Sequence, residues 1–422
     1  MGRTINTKNV PHMRPVEKIE LPENHSRGKV VAFILLLAVG VAALIYAFVS
    51  FMGVDSGWRE IEVSASSENN CGSEFVFMYE LGAGGVSASA ENRALTALYT
   101  VASEQAYRMF NNDMSFEEMT NVYDINRHPN EVMQVEDALY QAFSLLQNHG
   151  NRYLYLAPVY NRYDDLFFCN DDSQLVDFDP YLSEEVREEY AKIAAFANDP
   201  DAVELQLLGD NQIRLYVSEE YLDYASREGI TDFIDFFWMK NAFIVDYLAE
   251  VMISCQYTCG SISSYDGFVR NLEERDASYS FHLYDRLGQT VYPAAVMRYS
   301  GSMSIVYLRN YGMNSLDFQH YYELASGEIR TPYLDVRDGF CKSATDNLVS
   351  YSRDMSCAEI LVLLTPIYIA DTFRKEETAA LADENIYSVY CEDNVIYYND
   401  PSLILTQLYE GEDISYSVQY RQ

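Results

Sequence analysis

The sequence predicts an α+β fold that follows a single transmembrane helix, and three observations support this prediction. Residues 30–54 form a run of 25 residues without a charged side chain. Several segments before residue 200 have apolar residues at helical spacing, whereas alternating apolar residues dominate after residue 278. About half of the chain is hydrophobic, which is enough for a substantial core. We therefore expect one α+β domain after the apolar run.

The first 54 residues predict a membrane anchor. Residues 1–29 carry six Lys or Arg and three Glu, and the apolar run 30–54 is long enough to cross a bilayer with some tilt. A cleaved signal peptide is the alternative, but the apolar segment is too long for one and no small-residue cleavage site follows closely. The positive-inside rule then predicts a cytoplasmic tail (1–29) and an extracytoplasmic domain at the cell membrane.

The charge of the chain excludes some classes of partner. The formal charge is −35 and the basic tail contributes +3, so the remainder carries −38. Such a surface argues against nucleic-acid binding, disfavours adsorption to anionic lipid and attracts cations. Seven cysteines leave at least one thiol unpaired. Cys255 and Cys259 have no second Cys/His pair nearby, so a zinc site is not expected.

The secondary structure can be predicted in chain order. Residues 55–74 are polar and predict a stalk, and "EFVFMYEL" then predicts a strand. Helical spacing predicts helices over 93–111, 131–148 and about 184–197. In "VELQLLGDNQIRLYV", two alternating runs flank Gly-Asp-Asn, which predicts a hairpin.

The second half of the chain begins with "FIDFFWMKNAFIVDYLAEVMISC". Four charged residues interrupt this apolar stretch, so it predicts a buried strand-to-helix unit and not a second membrane span. Several strands follow after residue 278, then a helix in "AEILVLLTPIYIADTF" and a strand pair in "IYSVYCEDNVIYYN". The domain is expected to cover 75–400, with 401–422 as a C-terminal tail.

Several of these segments, taken in order, resemble the ApbE family, the FAD:protein FMN transferases. They are "NVYDINRHPNEVMQVEDALYQAF", "DFFWMKNAFIVDYLAE", "CGSISSYDG", "FQHYYELASGEIR" and "CAEILVLL". Asp235 and Asp246 keep the spacing of two family acids, and His320, Ser326 and Gly327 match its His…Thr-Gly segment. The resemblance covers about 75–400 and implies an ApbE-like flavin transferase fold. It also implies FAD and Mg²⁺ as cofactors, with FMN moved to a Ser or Thr of a partner.

The resemblance also implies site residues. His320 corresponds to a catalytic, flavin-contacting histidine. Asp235, Asp246 and Ser261, together with His320, correspond to cofactor-binding positions, and Glu359 corresponds to a metal ligand. Each has an ordinary alternative. His320 can be a structural strand histidine, Asp246 can meet a helix dipole at a helix start, and one carboxylate rarely holds Mg²⁺ alone.

The sequence departs from the family at positions that matter for the chemistry. Phe237 and Trp238 stand where the family has paired glycines, which let the backbone approach the cofactor. Asn241 stands at the lysine position, and Leu363 replaces a threonine four residues after Glu359. The first of the two family histidines is Gln319. We expect Phe236, Phe237 and Trp238 to fill the volume that the cofactor would use.

Two hypotheses about function follow. The first is a non-catalytic binding or scaffold protein, membrane-anchored and extracytoplasmic, whose partner is an extracytoplasmic redox or membrane protein. The second is an active, divergent flavin transferase that moves FMN from FAD to a Ser or Thr of a redox protein. The lost glycines, lysine and threonine favour the first hypothesis.

Overall fold

The computed structural model describes residues 39–40, 55–313, 320–411 and 414–421. The chain divides into two compact units, Met1–Val54 and Asp55–Gln422. The expected membrane span over 30–54 lies outside the described residues, except for residues 39 and 40, which are helical. Among the described residues, no helix is both long and apolar enough to cross a bilayer.

The second unit is built on a large sheet, in which the described residues contribute nine strands. In spatial order they are β1 (Gly57–Glu60), β2 (Phe75–Leu81), β6 (Gly260–Ser264), β7 (Phe268–Asn271), β10 (Met303–Arg309), β13 (Asn347–Ser352), β14 (Tyr387–Glu392), β15 (Val395–Tyr398) and β17 (Ser417–Tyr420). Neighbouring strands are antiparallel except β15 and β17, which are parallel.

Three smaller sheets accompany it. Their strands, again in spatial order, are β16 (Ile404–Thr406), β9 (Thr290–Ser300) and β8 (Ser278–Leu287); β3 (Val132–Gln134), β5 (Gln212–Val217) and β4 (Val203–Gly209); and β11 (Tyr322–Glu323) with β12 (Ile329–Arg330). The helices are α1 (Ala88–Met109), α2 (Val122–Arg127), α3 (Asp137–Asn148), α4 (Ala157–Tyr163), α5 (Glu184–Asn198), α6 (Glu219–Glu228), α7 (Lys240–Ser254), α8 (Cys357–Tyr368) and α9 (Lys375–Ala380).

Both faces of the large sheet are covered at its centre, and this explains the apolar sequences there. Every residue of β10 is buried. Ile305 and Tyr307 point into a core shared with β8 and β9, and side chains alternate between faces along a strand. On the opposite face, α7 and α8 pack against β7, and α8 also packs against β10 and β13. Helix α7 also packs on α1, so it is surrounded and reads as a nearly continuous apolar run.

The structure bears out most of the predicted elements. Strand β2, the helices predicted over 93–111 and 184–197, the β4–β5 hairpin and the β14–β15 pair all form. The helix predicted over 131–148 begins only at Asp137, because Val132–Gln134 form strand β3 and pair with β5. The segment expected to be a strand-to-helix unit differs, because a short 3-10 turn at Phe237–Met239 leads into α7 and no strand precedes it among the described residues. Instead, the backbone before α7 is bonded to a side chain, as described below.

The expected ends of the domain also differ from the structure. The residues predicted as a stalk contribute β1, which pairs with β2, and bury Ile61 and Cys71. The residues predicted as a C-terminal tail contribute β16 and β17. Both segments look polar because they lie at the edges of their sheets, where only a few side chains are buried. The folded unit therefore extends well beyond 75–400 at both ends.

Candidate functional site

The segment that precedes α7 is held by one buried asparagine. The side chain of Asn126 accepts hydrogen bonds from the backbone N–H groups of Phe233 and Ile234 at 2.9 and 3.0 Å, and donates to the carbonyl of Ile234 at 2.9 Å. It also donates to Asn112 at 2.7 Å. A side chain thus replaces the strand partner that this segment lacks, and it fixes where Asp235 emerges.

Asp235 is the last member of this series of side-chain hydrogen bonds, after Asn126 and Asn112. Its Oδ2 accepts a hydrogen bond from Asn112 Nδ2 at 3.2 Å and its Oδ1 accepts one from the backbone N–H of Phe237 at 2.9 Å. Burial raises the pKa of Asp235 to about 6, although the Phe237 N–H, Lys240 and Asn112 oppose the shift. The effect of burial on this carboxyl group thus exceeds that of its hydrogen bonds and of Lys240.

Asp235 lines a cavity of about 750 Å³, which we call the central cavity. It lies beside the end of α1, the start of α7 and the turn between β6 and β7. Its lining combines acidic, aromatic and amide side chains with a single lysine and a single histidine: Cys71, Ser73, Glu74, Tyr107, Phe110, Asn111, Asn112, Asp113, Asp164, Asp235, Phe237, Trp238, Lys240, Asn241, Ile244, Tyr265, Asp266 and His320.

Four side chains of the central cavity carry buried polar atoms that find no hydrogen-bond partner among the described residues. They are Trp238 Nε1, Asn241 Oδ1, Asp266 Oδ1 and His320 Nδ1. Most buried polar atoms in proteins are bonded, so four such atoms around one cavity indicate a place for a polar ligand or water.

Asp266 was not predicted as a site residue, although it belongs to the segment "CGSISSYDG" on which the resemblance is based. It lies in the turn between β6 and β7, and its Oδ2 accepts a hydrogen bond from Asn241 Nδ2 at 3.1 Å. The following Gly267 has φ +113°, and a Cβ there would lie 2.3 Å from the carbonyl oxygen of Tyr307. The Asp-Gly pair is a turn signal that could have identified this position. Burial raises the pKa of Asp266, with Ser264 and His320 opposing the shift.

His320 lines the central cavity together with Asp235. It is close enough to Asp164 and Asp266 to lower their pKa values, against the larger effect of burial. Its neighbour Gln319 lies outside the described residues. The structure thus brings two of the expected site residues to one cavity.

Two of the three aromatic residues expected to fill the cofactor volume, Phe237 and Trp238, line the central cavity, and Phe236 does not. Trp238 is 5% exposed and packs edge-on against Tyr333, with ring centroids 5.2 Å apart. Phe237 stacks on Tyr160 at 4.6 Å. Phe236 is buried elsewhere, against Phe110 and two further rings. The cavity remains open beside them.

The backbone at Phe237 has a conformation that favours glycine. Its φ is +43°, in the left-handed region that a bulky side chain rarely adopts. The resemblance places one of the paired family glycines here. A glycine would adopt this backbone conformation at less cost than phenylalanine.

Asp246 and Glu359 lie at a second cavity of about 810 Å³, next to the N-terminus of α8. Asp246 lies within α7 and not at its start. Its two carboxylate oxygens accept hydrogen bonds from the N–H groups of Cys357 and Ala358 at 3.0 and 2.7 Å, and Arg270 Nε lies 3.5 Å away. Burial raises its pKa to about 6, and Arg270 and the two N–H groups oppose the shift. The carboxylate meets the dipole of α8 rather than that of its own helix.

Glu359 is part of a helix cap. Its Oε2 accepts a hydrogen bond from the N–H of Ser356 at 2.7 Å, while Ser356 Oγ accepts one from the N–H of Glu359 at 3.2 Å. This is a capping box. Thr365, the nearest hydroxyl further along, donates to the carbonyl of Leu361 at 2.7 Å.

These contacts do not fit a magnesium site. Mg²⁺ needs several oxygen ligands in near-octahedral geometry, but the oxygens of Asp246 already accept backbone hydrogen bonds and Leu363 offers none. Across the described parts of the chain, no group of three or more His, Cys, Asp or Glu is placed to hold a metal ion.

Ser261 is separate from both cavities. It lies inside β6, opposite Met78 of β2 and Asn271 of β7, and not in a turn. The expected set of site residues is therefore split. Asp235 and His320 share the central cavity, Asp246 and Glu359 share the second cavity, and Ser261 belongs to the sheet. Lys240, Asn112 and Asp164 line the central cavity without having been proposed as site residues.

Two solved structures share this fold. The ApbE protein of Thermotoga maritima matches 83% of this chain and 97% of its own, with a TM-score of 0.54 and 12% identity. The flavin transferase ApbE of Vibrio cholerae matches 83% of this chain and 98% of its own, with a TM-score of 0.51 and 12% identity. No family model and no curated protein matches the sequence. The predicted ApbE-like α+β fold is confirmed, in a divergent form, and at this identity the match establishes the fold alone.

Proposed function

Starting from the ApbE-like fold, we propose that this chain is a non-catalytic binding protein that keeps the fold of flavin transferases without their chemistry. The main support is the use of carboxylates at the start of α8. Asp246 accepts hydrogen bonds from two backbone N–H groups and lies near Arg270, and Glu359 is part of a capping box. Oxygens that hold a helix end in place are poorly available to a metal ion and its phosphate ligand.

The central cavity supports the same proposal. Five acidic side chains line it against one lysine, and that Lys240 lies 3.6 Å from Glu74. The diphosphate of FAD is strongly anionic, so it would be repelled here unless metal ions screened the carboxylates. Without a magnesium site, this cavity does not suit FAD.

The test is a transfer assay with the full chain in mild detergent. We expect no FMN transfer from FAD to a threonine-bearing acceptor peptide above background, measured as a mass gain on the peptide with Mg²⁺ present. The visible absorption spectrum after soaking with FAD and Mg²⁺ should show no retained flavin. Transfer that depends on Mg²⁺ and is lost in His320→Ala would contradict the proposal.

An active, divergent flavin transferase is the second candidate. It is favoured by the meeting of His320 and Asp235 at one cavity and by the glycine-like backbone at Phe237. The double variant Glu359→Asp with Leu363→Thr provides a matched control, because it restores the family residue types at α8. Activity that appears only in this double variant would support loss of function in the native chain.

We also propose that residues 30–54 anchor the chain in the cell membrane, with residues 55–422 outside the cytoplasm and facing an extracytoplasmic redox or membrane protein. The support is the uncharged run and the charge asymmetry around it. Protease added to cells with an opened outer surface should digest residues 55–422. Complete protection of these residues would contradict the orientation.

A further inference from the structure

The lining of the central cavity has an unusual balance of charge. The acids are Glu74, Asp113, Asp164, Asp235 and Asp266, and Lys240 is the lysine among them. The chain as a whole is acidic, so no external positive field compensates this cluster. Burial raises the pKa values of Asp164, Asp235 and Asp266. Five carboxyl groups thus line the cavity beside one lysine and one histidine.

The positive charge of Lys240 does not balance these carboxyl groups. Burial opposes its charge, but Glu74, Asp235 and other acids raise its pKa above the ordinary value, so it stays an ammonium group. Its one ion pair among the described residues is with Glu74 at 3.6 Å. One cation is therefore shared among several carboxylates.

Asn241 and Asp266, which share one hydrogen bond, each carry a second oxygen without a donor among the described residues. Asn241 donates its Nδ2 to Asp266 Oδ2, which leaves Asn241 Oδ1 and Asp266 Oδ1 buried and without a partner among the described residues. Asn241 is only 9% exposed. Leaving a buried acceptor unbonded is costly, and a donor with several N–H groups would satisfy both.

Aromatic rings complete the lining. Tyr107, Phe110, Phe237, Trp238 and Tyr265 contribute to the cavity wall. Aromatic faces attract organic cations, and they also pack against methylene groups. The indole nitrogen of Trp238 is itself buried, on the side of Tyr160, so the ring contributes to the wall through its carbon atoms.

We propose that the central cavity binds a small organic amine, of the diamine or polyamine class, whose ammonium group bonds to Asp266 and Asn241. Further ammonium groups would meet the remaining carboxylates, and the methylenes between them would lie against the rings. A cavity of about 750 Å³ has room for such a chain. This inference rests on the proposed function, because it takes the cavity to be free of FAD.

A bare metal ion fits this cavity less well. Both oxygens of Asp235 already accept hydrogen bonds, and Asp266 has one free oxygen beside an amide. Metal coordination needs convergent oxygens, whereas an ammonium group needs only acceptors spread around it.

The experiment uses the full chain with spermidine as the probe. The sequence has two tryptophans, and Trp58→Phe leaves Trp238 as the single indole, at the cavity wall. We expect a saturable change in Trp238 fluorescence on titration with spermidine. Asp266→Asn should weaken binding by about tenfold or more, as expected for the loss of one charged hydrogen bond.

Two further variants distinguish specific binding in the central cavity from general attraction of spermidine to the acidic surface. Asp223→Asn removes the same charge from the exposed side of α6, so it should leave the affinity within about twofold. Asn241→Lys places an ammonium group of the chain itself next to Asp266 and should abolish binding while the circular dichroism spectrum is kept. This second variant keeps the test valid if Asp266→Asn unfolds.

Several outcomes would overturn the inference. They are an unsaturable response, equal weakening by Asp223→Asn and Asp266→Asn, unchanged binding in a folded Asn241→Lys variant, or complete displacement of spermidine by an equal concentration of Mg²⁺. FMN transfer is measured separately on the same preparation. Transfer without loss of spermidine binding contradicts the proposed function alone, whereas absence of both transfer and spermidine binding contradicts this inference alone.

Discussion

The two cavities of this fold each have an aspartate whose pKa is raised to about 6, yet the two aspartates have different surroundings. Asp246, at the second cavity, is bonded to the first N–H groups of α8 and lies near Arg270. Asp235, at the central cavity, is bonded to one backbone N–H and one amide, among side chains with unpartnered polar atoms. Asp246 holds α7 to the start of α8, whereas Asp235 lines the open central cavity. A similar pKa therefore says little about role until the partners of the carboxyl group are known.

The largest effect should come from Asp246→Ala. This change leaves Arg270 without its carboxylate and two N–H groups of α8 without their acceptor, so we expect the free energy of unfolding to fall by about 3–5 kcal/mol. Denaturant unfolding followed by circular dichroism measures it. Glu359→Ala is the control at the same helix end, and it should cost only about 1 kcal/mol because it removes part of a cap. Equal, small losses in both variants would mean that Asp246 is not structural.

Trp238→Ala should have the next largest effect. The ring packs against Tyr333 and Tyr153 and is buried, so its removal should lower the free energy of unfolding by about 3 kcal/mol. Because Trp238 also lines the central cavity, we place the expected value at the low end for a buried tryptophan. Trp58→Ala, at a residue that is 44% exposed, should cost far less. A Trp238→Ala midpoint equal to that of the native chain would show that the wall contributes nothing to stability.

The sequence predicted the fold well because the fold depends on patterns that are repeated along many residues. Alternation predicted the β4–β5 and β14–β15 hairpins, and the apolar run 233–255 predicted burial of α7. The sheet edges were missed, because β1 and β17 have few buried residues and their sequences resemble loops.

The candidate site was predicted less well, because it depends on contacts between residues far apart in the chain. Asp235 and His320 could be grouped only through the resemblance, and nothing in the sequence showed that Asp246 would bond to α8, more than 100 residues away. Asp266 was overlooked because a turn signal predicts the backbone and not what its side chain faces. Such pairings follow from the topology of the sheet, which local patterns do not encode.

Phe237→Gly should change stability little, and it tests whether the backbone beside the central cavity is strained. A side chain at φ +43° costs about 1–2 kcal/mol, whereas stacking on Tyr160 returns about 0.5–1.5 kcal/mol. We therefore expect a change in the free energy of unfolding within about 1 kcal/mol for glycine. Phe237→Ala is the matched control, because it loses the ring but keeps a Cβ, and it should be less stable than the glycine variant. If alanine is as stable as glycine here, the left-handed backbone stores no strain.

The last prediction concerns pH, and it distinguishes Asp235 from the carboxylates on the surface. The ordinary pKa of an aspartate is 3.8 and that of folded Asp235 is about 6, because burial outweighs the Phe237 N–H, Lys240 and Asn112. Between these values the folded chain holds a proton that the unfolded chain has released, so this group makes the protein more stable as the pH falls from about 6 to about 4. Asp235→Asn removes that proton equilibrium and should make the unfolding midpoint less dependent on pH in this window, and Asp246 accounts for part of the dependence that remains. Asp223→Asn, at an exposed position, should leave the slope unchanged.

Identical slopes for Asp235→Asn and the native chain would mean that Asp235 is solvated in the central cavity and titrates like a surface acid. In that case, the contrast between the two cavities would lie in Asp246 alone.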